Sequence, residues 1–334
     1  MNMKADFYRL IVLAVFLTYG LCPAMAEESK KFKVLVVMSY EEDFLWCKEI
    51  KQGIDNVLGK TCEIRYTYLN TRHSLEATAK VQEVYKLYQE FQPHGVIAAD
   101  DNAQTMFIIP YLKDKVKIPV MFCGVNEEAE KYGFPASNVS GVLERPHFAE
   151  SIAFVQQMVP TVKTVGYIWG NHATAKGFHQ QVQKEKDDYS AKSVDFKFVN
   201  TMDEAIESVK DLKTKCDAIF VDILRGIKDK DGKPLDEDYI VPILAKTFGK
   251  PVLTANAYMM RFGALCAVVK TGNEQGETSA NMLLKAMNGT PVSQIPITKN
   301  YQGKRMINVT ALKALGITPK PAALKGAELV KTEE

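Results

Sequence analysis

The sequence predicts an α/β protein of two similar lobes, each a parallel sheet covered on both faces. Three observations carry that expectation. Short, continuously apolar runs alternate with longer amphipathic segments along the chain, the mark of strands buried on both faces. Regular alternation of β and α segments implies parallel sheets. The rhythm also runs once as far as SNVSGVLE (137–144) and then restarts. No short-period repeat or low-complexity segment interrupts it.

The first segment carries Lys4 and Arg9, the apolar run 10–22 and then PAMA. This pattern reads as a secretory signal peptide (1–26) cleaved after Ala26, which places the mature chain in the periplasm or outside the cell. The run falls short of the roughly 20 residues a membrane span needs. Two other readings are a lipoprotein modified at Cys22, where Leu21 stands in place of a small residue, and an uncleaved anchor.

In the first half, FKVLVVMSY (32–40), CEIRYTYLN (62–70), GVIAAD (95–100) and IPVMFCG (118–124) read as strands. LWCKEIKQGIDNVLG (45–59) and SLEATAKVQEVYKLYQEF (74–91) carry apolar residues at three- and four-residue steps and read as helices, with Gly59 and Pro93 as stops. In the second half TVGYIWG (164–170), VDFKFV (194–199), DAIFVD (217–222) and KPVLTAN (250–256) are four more strands, with helical segments between them.

Composition narrows the function. The 334-residue chain has 42 basic and 40 acidic residues. Removal of residues 1–26 leaves 40 against 39, a net charge of +1, and 308 residues, enough for two lobes. Near-neutral charge without a basic cluster argues against nucleic acid and against strong attraction to a membrane surface. The five remaining cysteines (Cys47, Cys62, Cys123, Cys216, Cys266) are too widely spaced for a zinc ribbon or a CxxC motif. They read as buried apolar thiols, or, since export permits disulfides, as holding one pair, Cys47 with Cys62 being the first to test. His73, His94, His147, His172 and His179 show no metal-ligand spacing. DKDGKPLDED (229–238) resembles a calcium loop, but the register puts Ile227 where an acid is needed, so a solvated turn is expected. GxSxG, Walker and complete GxGxxG motifs are missing from the sequence.

Ligands of open parallel sheets bind beyond the carboxyl ends of the strands. The tips here carry Ser39, Tyr40, Asp100, Asp101, Asn102, Gly124 and Asn126 in the first half, with Trp46 on the following helix turn. The second half supplies Trp169, Asn171, Asp222, Asn256 and Tyr258. If the lobes face each other by these edges, the tips line one cleft. Asp100 and Asp101 have four readings: a ligand contact, a metal site, a catalytic pair, and a cap on a helix starting near Ala103, with Asp101 or Asn102 as the capping residue. Neighbours on an extended tip point apart, which disfavours a shared proton. Tyr40, Phe44 and Trp46 form either an aromatic wall for a flat or cationic ligand or rings that pack the loop onto its lobe, and Trp169 and Tyr258 carry the same two readings. Asn126 and Asn256 offer donor and acceptor groups to a polar ligand.

The segments VMSYEEDFLWCKEIKQGI, PVMFCGVNEEAEKYGFPASNVSGV and RFGALCAVVKTGNEQGETSANMLLKAMNGTPVSQIPI, in this order, resemble solute-binding proteins of ABC transporters. The branch they are most similar to includes tryptophan- and tyrosine-type binders and related extracellular sensor domains. The resemblance implies a type I periplasmic-binding architecture: two Rossmann-like lobes joined by three hinge crossovers. It implies a first lobe of 27–143 plus 264–289 and a second of 144–263 plus 290–334. The first crossover would fall at 140–143 and the second at 261–264, and the tail would cross from Thr290. Many relatives carry an Asp-Asn-Thr turn after the strand equivalent to DAIFVD, but here it reads DILRG (222–226). Their ligand cannot be transferred, and Asp222 and Arg225 are the candidate substitutes.

The expected function is therefore a monomeric, cofactor-free and metal-free solute receptor. It would capture a small molecule, amino-acid-like or aromatic, by lobe closure and deliver it to an ABC permease in the inner membrane. One alternative keeps the binding and signals to a membrane sensor; another is an exported enzyme using the Asp100/Asp101 region.

Overall fold

The computed structural model describes residues 31–71 and 77–333. The expected leader with its cleavage point, Cys22, the start of the second expected helix and His73 lie outside the described residues. All eight expected strands are present. In chain order the first part runs β1 (Phe32–Met38), α1 (Leu45–Leu58), β2 (Cys62–Tyr68), α2 (Ala77–Phe91), β3 (Gly95–Ala99), α3 (Asp100–Ala103), β4 (Val120–Val125) and β5 (Val139–Leu143). Between α3 and β4 the chain continues helically, with π-type turns, over Gln104–Leu112. The second part runs α4 (Phe148–Met158), β6 (Thr164–Gly170), α5 (Ala173–Glu185), β7 (Lys192–Val199), α6 (Met202–Lys215), β8 (Ala218–Asp222), α7 (Glu237–Phe248) and β9 (Val252–Leu253). Then come β10 (Cys266–Val269), α8 (Gly272–Met287), β11 (Thr298–Lys299), β12 (Lys304–Asn308), α9 (Val309–Ala314), α10 (Pro321–Leu324) and β13 (Glu328–Val330).

Two sheets result. The first has the order β11-β5-β4-β3-β1-β2 and is parallel throughout. The second has the order β13-β12-β10-β9-β8-β6-β7 and is parallel except where β12 meets β10. β3, β4 and β8 are buried at every position, which explains their unbroken apolar sequences. On one face of the first sheet, α1 turns Cys47, Ile50, Ile54 and Leu58 inward and lies along α8. The two helices meet backbone to backbone: a Cβ on Gly53 would sit 2.2 Å from Asn273 O, and one on Gly276 would sit 2.2 Å from Ile50 O.

The chain passes between the sheets three times: at 144–147 between β5 and α4, at 270–271 between β10 and α8, and at 300–303 between β11 and β12. Residues 140–143, expected as the first crossover, belong to β5, and the second and third passages also differ from the expected positions. Residues 266–269, expected in the first lobe, form β10 of the second sheet, beside β9 and β12. Residues 298–299, expected in the second lobe, pair with β5 of the first. A four-residue apolar strand completes either sheet equally well in sequence terms; its partners decide. The DKDG segment forms a turn in which Asp229 Oδ1 accepts from the backbone N–H groups of Asp231 and Lys233.

Candidate ligand-binding site

The strand tips of the two sheets face one another across cavities lined by both lobes. A cavity of about 690 Å³ has Phe44, Trp46 and Thr271 on the side of the first lobe and Tyr258, Phe262 and Met306 on the second. Another, of about 640 Å³, lies between Asp101, Asn126 and Tyr132 on one side and Gly177, Phe178 and Gln181 on the other. Glu144 lines the second cavity and Lys270 the first, and the two form an ion pair between crossovers, so a charged partition separates the cavities. Two further ion pairs, Lys184–Glu128 (2.8 Å) and Lys299–Glu185 (2.9 Å), link the lobes at the surface.

Asp100 is the first residue of α3 and adopts φ +70°, a left-handed conformation that an aspartate tolerates better than most residues. It is 2% exposed. Trp46 Nε1 donates to its Oδ1 at 2.8 Å, while its Oδ2 is buried without a hydrogen-bond partner. Burial first, then the nearby Glu144, hold this carboxyl well above the usual aspartate range, although the Trp46 bond opposes the shift.

The helix begins one residue before Asp101, so the expected capping role of Asp101 or Asn102 is not what their side chains do. The acceptor at this helix start is Ser39, whose Oγ accepts from Ala103 N (2.8 Å) while its hydroxyl donates to Ala99 O (2.6 Å). Asp101 reaches across to the loop after β4, accepting from Asn126 N (3.1 Å), Glu127 N (3.3 Å) and the Tyr132 hydroxyl (2.7 Å). Asn102 donates to Thr71 Oγ1. Gly124, at φ +68°, gives Asp100 its space, since a Cβ there would sit 2.7 Å from Asp100 Oδ1. The Asn126 amide donates to Gly124 O and to Glu144. Tyr40 is half-buried, edge-on to Phe44 with ring centroids 5.6 Å apart.

In the second lobe Asp222 is fully buried and accepts from Ile223 N, Thr254 Oγ1, Ala255 N and Asn256 Nδ2. It organises the β9 tip and holds Asn256 instead of presenting a free carboxylate. Tyr258 is exposed and lines the larger cavity, and Asn171 is exposed at the end of β6. Trp169 is fully buried among Tyr167, His179, Phe196 and Phe198, so it belongs to the core and offers the cleft no surface. Trp46 and Asp101 line different cavities and Asn256 lines neither, so these three do not converge on one space.

Sequence reading missed Glu144, Arg145 and Lys270. The Arg145 guanidinium donates to the carbonyls of Val125, Asn126, Glu127 and Glu144 and pairs with Glu128, clamping the same loop that Asp101 holds by its N–H groups. No local motif marks such residues, because their partners come from other segments. The five described cysteines are buried and form no disulfide, in line with the apolar-thiol reading and against the alternative Cys47–Cys62 pair.

Facing strand tips, three crossovers and cavities shared by both lobes define a two-lobed binding protein of the type I periplasmic-binding architecture. The ABC transporter substrate binding protein family matches residues 34–331, and the chain belongs to it. It is 24% identical over 216 residues to a tyrosine-binding protein of Clostridioides difficile strain R20291; the match spans 62% of this chain and 57% of that relative. Among solved structures it is similar to a ligand-free, open substrate-binding protein with adhesive properties from Clostridium difficile, with TM-score 0.70, 18% identity and coverage of 90% of this chain and all of that one. It is also similar to an ABC domain in complex with L-Trp from Streptococcus pneumonia, with TM-score 0.55, 19% identity and coverage of 90% and 100%. At these identities the structural likenesses establish the fold. Among the described residues no helix is long and apolar enough to cross a membrane.

Proposed function

We propose that this protein captures an aromatic amino acid between its lobes outside the cytoplasm and delivers it to an ABC permease. The observation that carries the reading is that Trp46 from the first lobe and Tyr258 from the second line one cavity of about 690 Å³, a volume suited to a small organic ligand. A flat ring entering there gains stacking and apolar burial from both sides, so it favours the closed state by its differential affinity. The tyrosine and tryptophan named with its relatives point the same way. The leader-like segment supports an extracytoplasmic site of action.

Thermal melts with the aromatic amino acids test the capture step. At 100 times its Kd a ligand stabilises the folded chain by about 2.7 kcal/mol. Flat melting temperatures across tryptophan, tyrosine and phenylalanine would overturn the ligand class. Uptake of the labelled ligand by cells with and without the gene tests delivery, and equal uptake would discard the transport role.

A further inference from the structure

We propose that the first turn of α8 ties the three crossovers into a single hinge and connects that hinge to the ligand-facing tip of β4, with Glu274 and Gln275 as positioning residues. The inference rests on the lobe-closure reading above and deepens it.

The segment TGNE (271–274) has the spacing of a helix-capping box, in which the glutamate would reach back to its own helix start. Half of that box forms: Thr271 Oγ1 accepts from Glu274 N at 3.2 Å. The Glu274 carboxylate goes elsewhere. One oxygen accepts from Tyr301 N (2.7 Å) and Gln302 N (2.8 Å), and the other from Gly303 N (3.0 Å). A carboxylate only 6% exposed thus gathers three consecutive N–H groups of the third crossover, and charge-assisted bonds of this kind are about twice as strong as neutral ones.

Gln275, fully buried, uses both ends of its amide. Nε2 donates to Leu143 O (3.2 Å), at the mouth of the first crossover, and to Asn300 Oδ1 (3.3 Å) in the third. Oε1 accepts from Gly124 N (2.8 Å), beside Asp100. Asn300 completes the link, because its Oδ1 accepts from Arg145 N (2.7 Å) and its Nδ2 donates to Arg145 O (2.9 Å) and His147 Nε2 (2.8 Å). Both oxygens and all four hydrogens of the two amides are thereby committed to a crossover or to the β4 tip. The Glu144–Lys270 pair joins the first crossover to the second.

Gly303 marks where the passages touch. At φ +61°, a Cβ there would lie 2.6 Å from Val268 Cγ1, just before the second crossover, and 2.9 Å from His147 in the first. Crossovers packed and bonded this tightly cannot rotate one at a time, so lobe closure is a concerted motion that also moves Gly124 against Asp100.

The test is the distance distribution between spin labels at Lys86→Cys in the first lobe and Lys210→Cys in the second, both exposed positions, in ligand-free protein. Glu274→Gln puts an amide NH₂ against crossover N–H groups. It should broaden the distribution and speed hydrogen exchange of the 301–303 amides by about tenfold, against unchanged exchange in β3. Gly303→Ala, a wedge between the crossovers, should broaden the distribution too and serves if Glu274→Gln fails to fold. A lowered melting temperature with the unaltered distribution would mean a merely structural role and overturn the proposal. Because these readings need no ligand, they stand apart from the ligand-class test: melts without response alongside a broadened distribution would sink the proposed ligand and leave the hinge.

Discussion

The Trp46 indole N–H donates to Asp100 Oδ1 at 2.8 Å, joining the start of α1 to the start of α3 at the cleft floor. The bond leaves the second carboxyl oxygen buried and without a partner. This pair joins a ring that lines the larger cavity to a carboxyl whose pKa burial holds well above its ordinary range.

Asp100→Asn should therefore stabilise the ligand-free protein at neutral pH. A carboxyl whose folded pKa is raised contributes its full stability below the unfolded value of about 3.9 and loses it as pH rises toward the folded value. The amide keeps the Trp46 acceptor without any ionisation cost. Melts at pH 3.5 and pH 7 check this: the variant's advantage appears at pH 7 and vanishes at pH 3.5. An advantage equal at both values would contradict it.

Trp46→Ala should weaken ligand binding by about tenfold, the order expected for losing a stacked ring. It also strips Asp100 Oδ1 of its donor. Trp46→Phe separates the two effects, retaining most of the affinity while lowering stability by about 1–3 kcal/mol. Titration calorimetry and urea melts on both variants measure the split.

Asp222→Ala should destabilise the second lobe by about 3 kcal/mol or more, since it abandons buried donors from Ile223, Thr254, Ala255 and Asn256. Urea unfolding gives the value. Loss below 1 kcal/mol would mean that the tip of β9 is held by something else.

The buried thiols make a redox prediction. Cys47, Cys62, Cys123, Cys216 and Cys266 should all resist a thiol reagent in the native protein and all react after unfolding, with no reductant needed. Only three reactive thiols among these five after unfolding would reveal a disulfide.

Some of the site was legible beforehand and some was not. The tip residues Tyr258 and Asp101 each line a cavity between the lobes, though not the same one. Trp169 has the same kind of position yet points into the core, where four neighbouring rings enclose it. Strand alternation assigns a residue to one face, but which face is covered depends on what packs there. Asp101 looked like a cap because caps are recognised from local spacing. The left-handed turn at Asp100 shifted the helix start and freed its neighbour to hold the β4 loop.

By itself the sequence determined the alternation of strands and helices and the two largely parallel sheets. Those properties follow from short-range periodicity and from the burial of continuous apolar runs. Only tertiary structure decided which sheet receives residues 266–269, how Glu274 abandons its cap for the third crossover, and that Glu144 meets Lys270. These depend on pairing energies between segments far apart in the chain, where competing partners of equal local merit are separated by geometry alone.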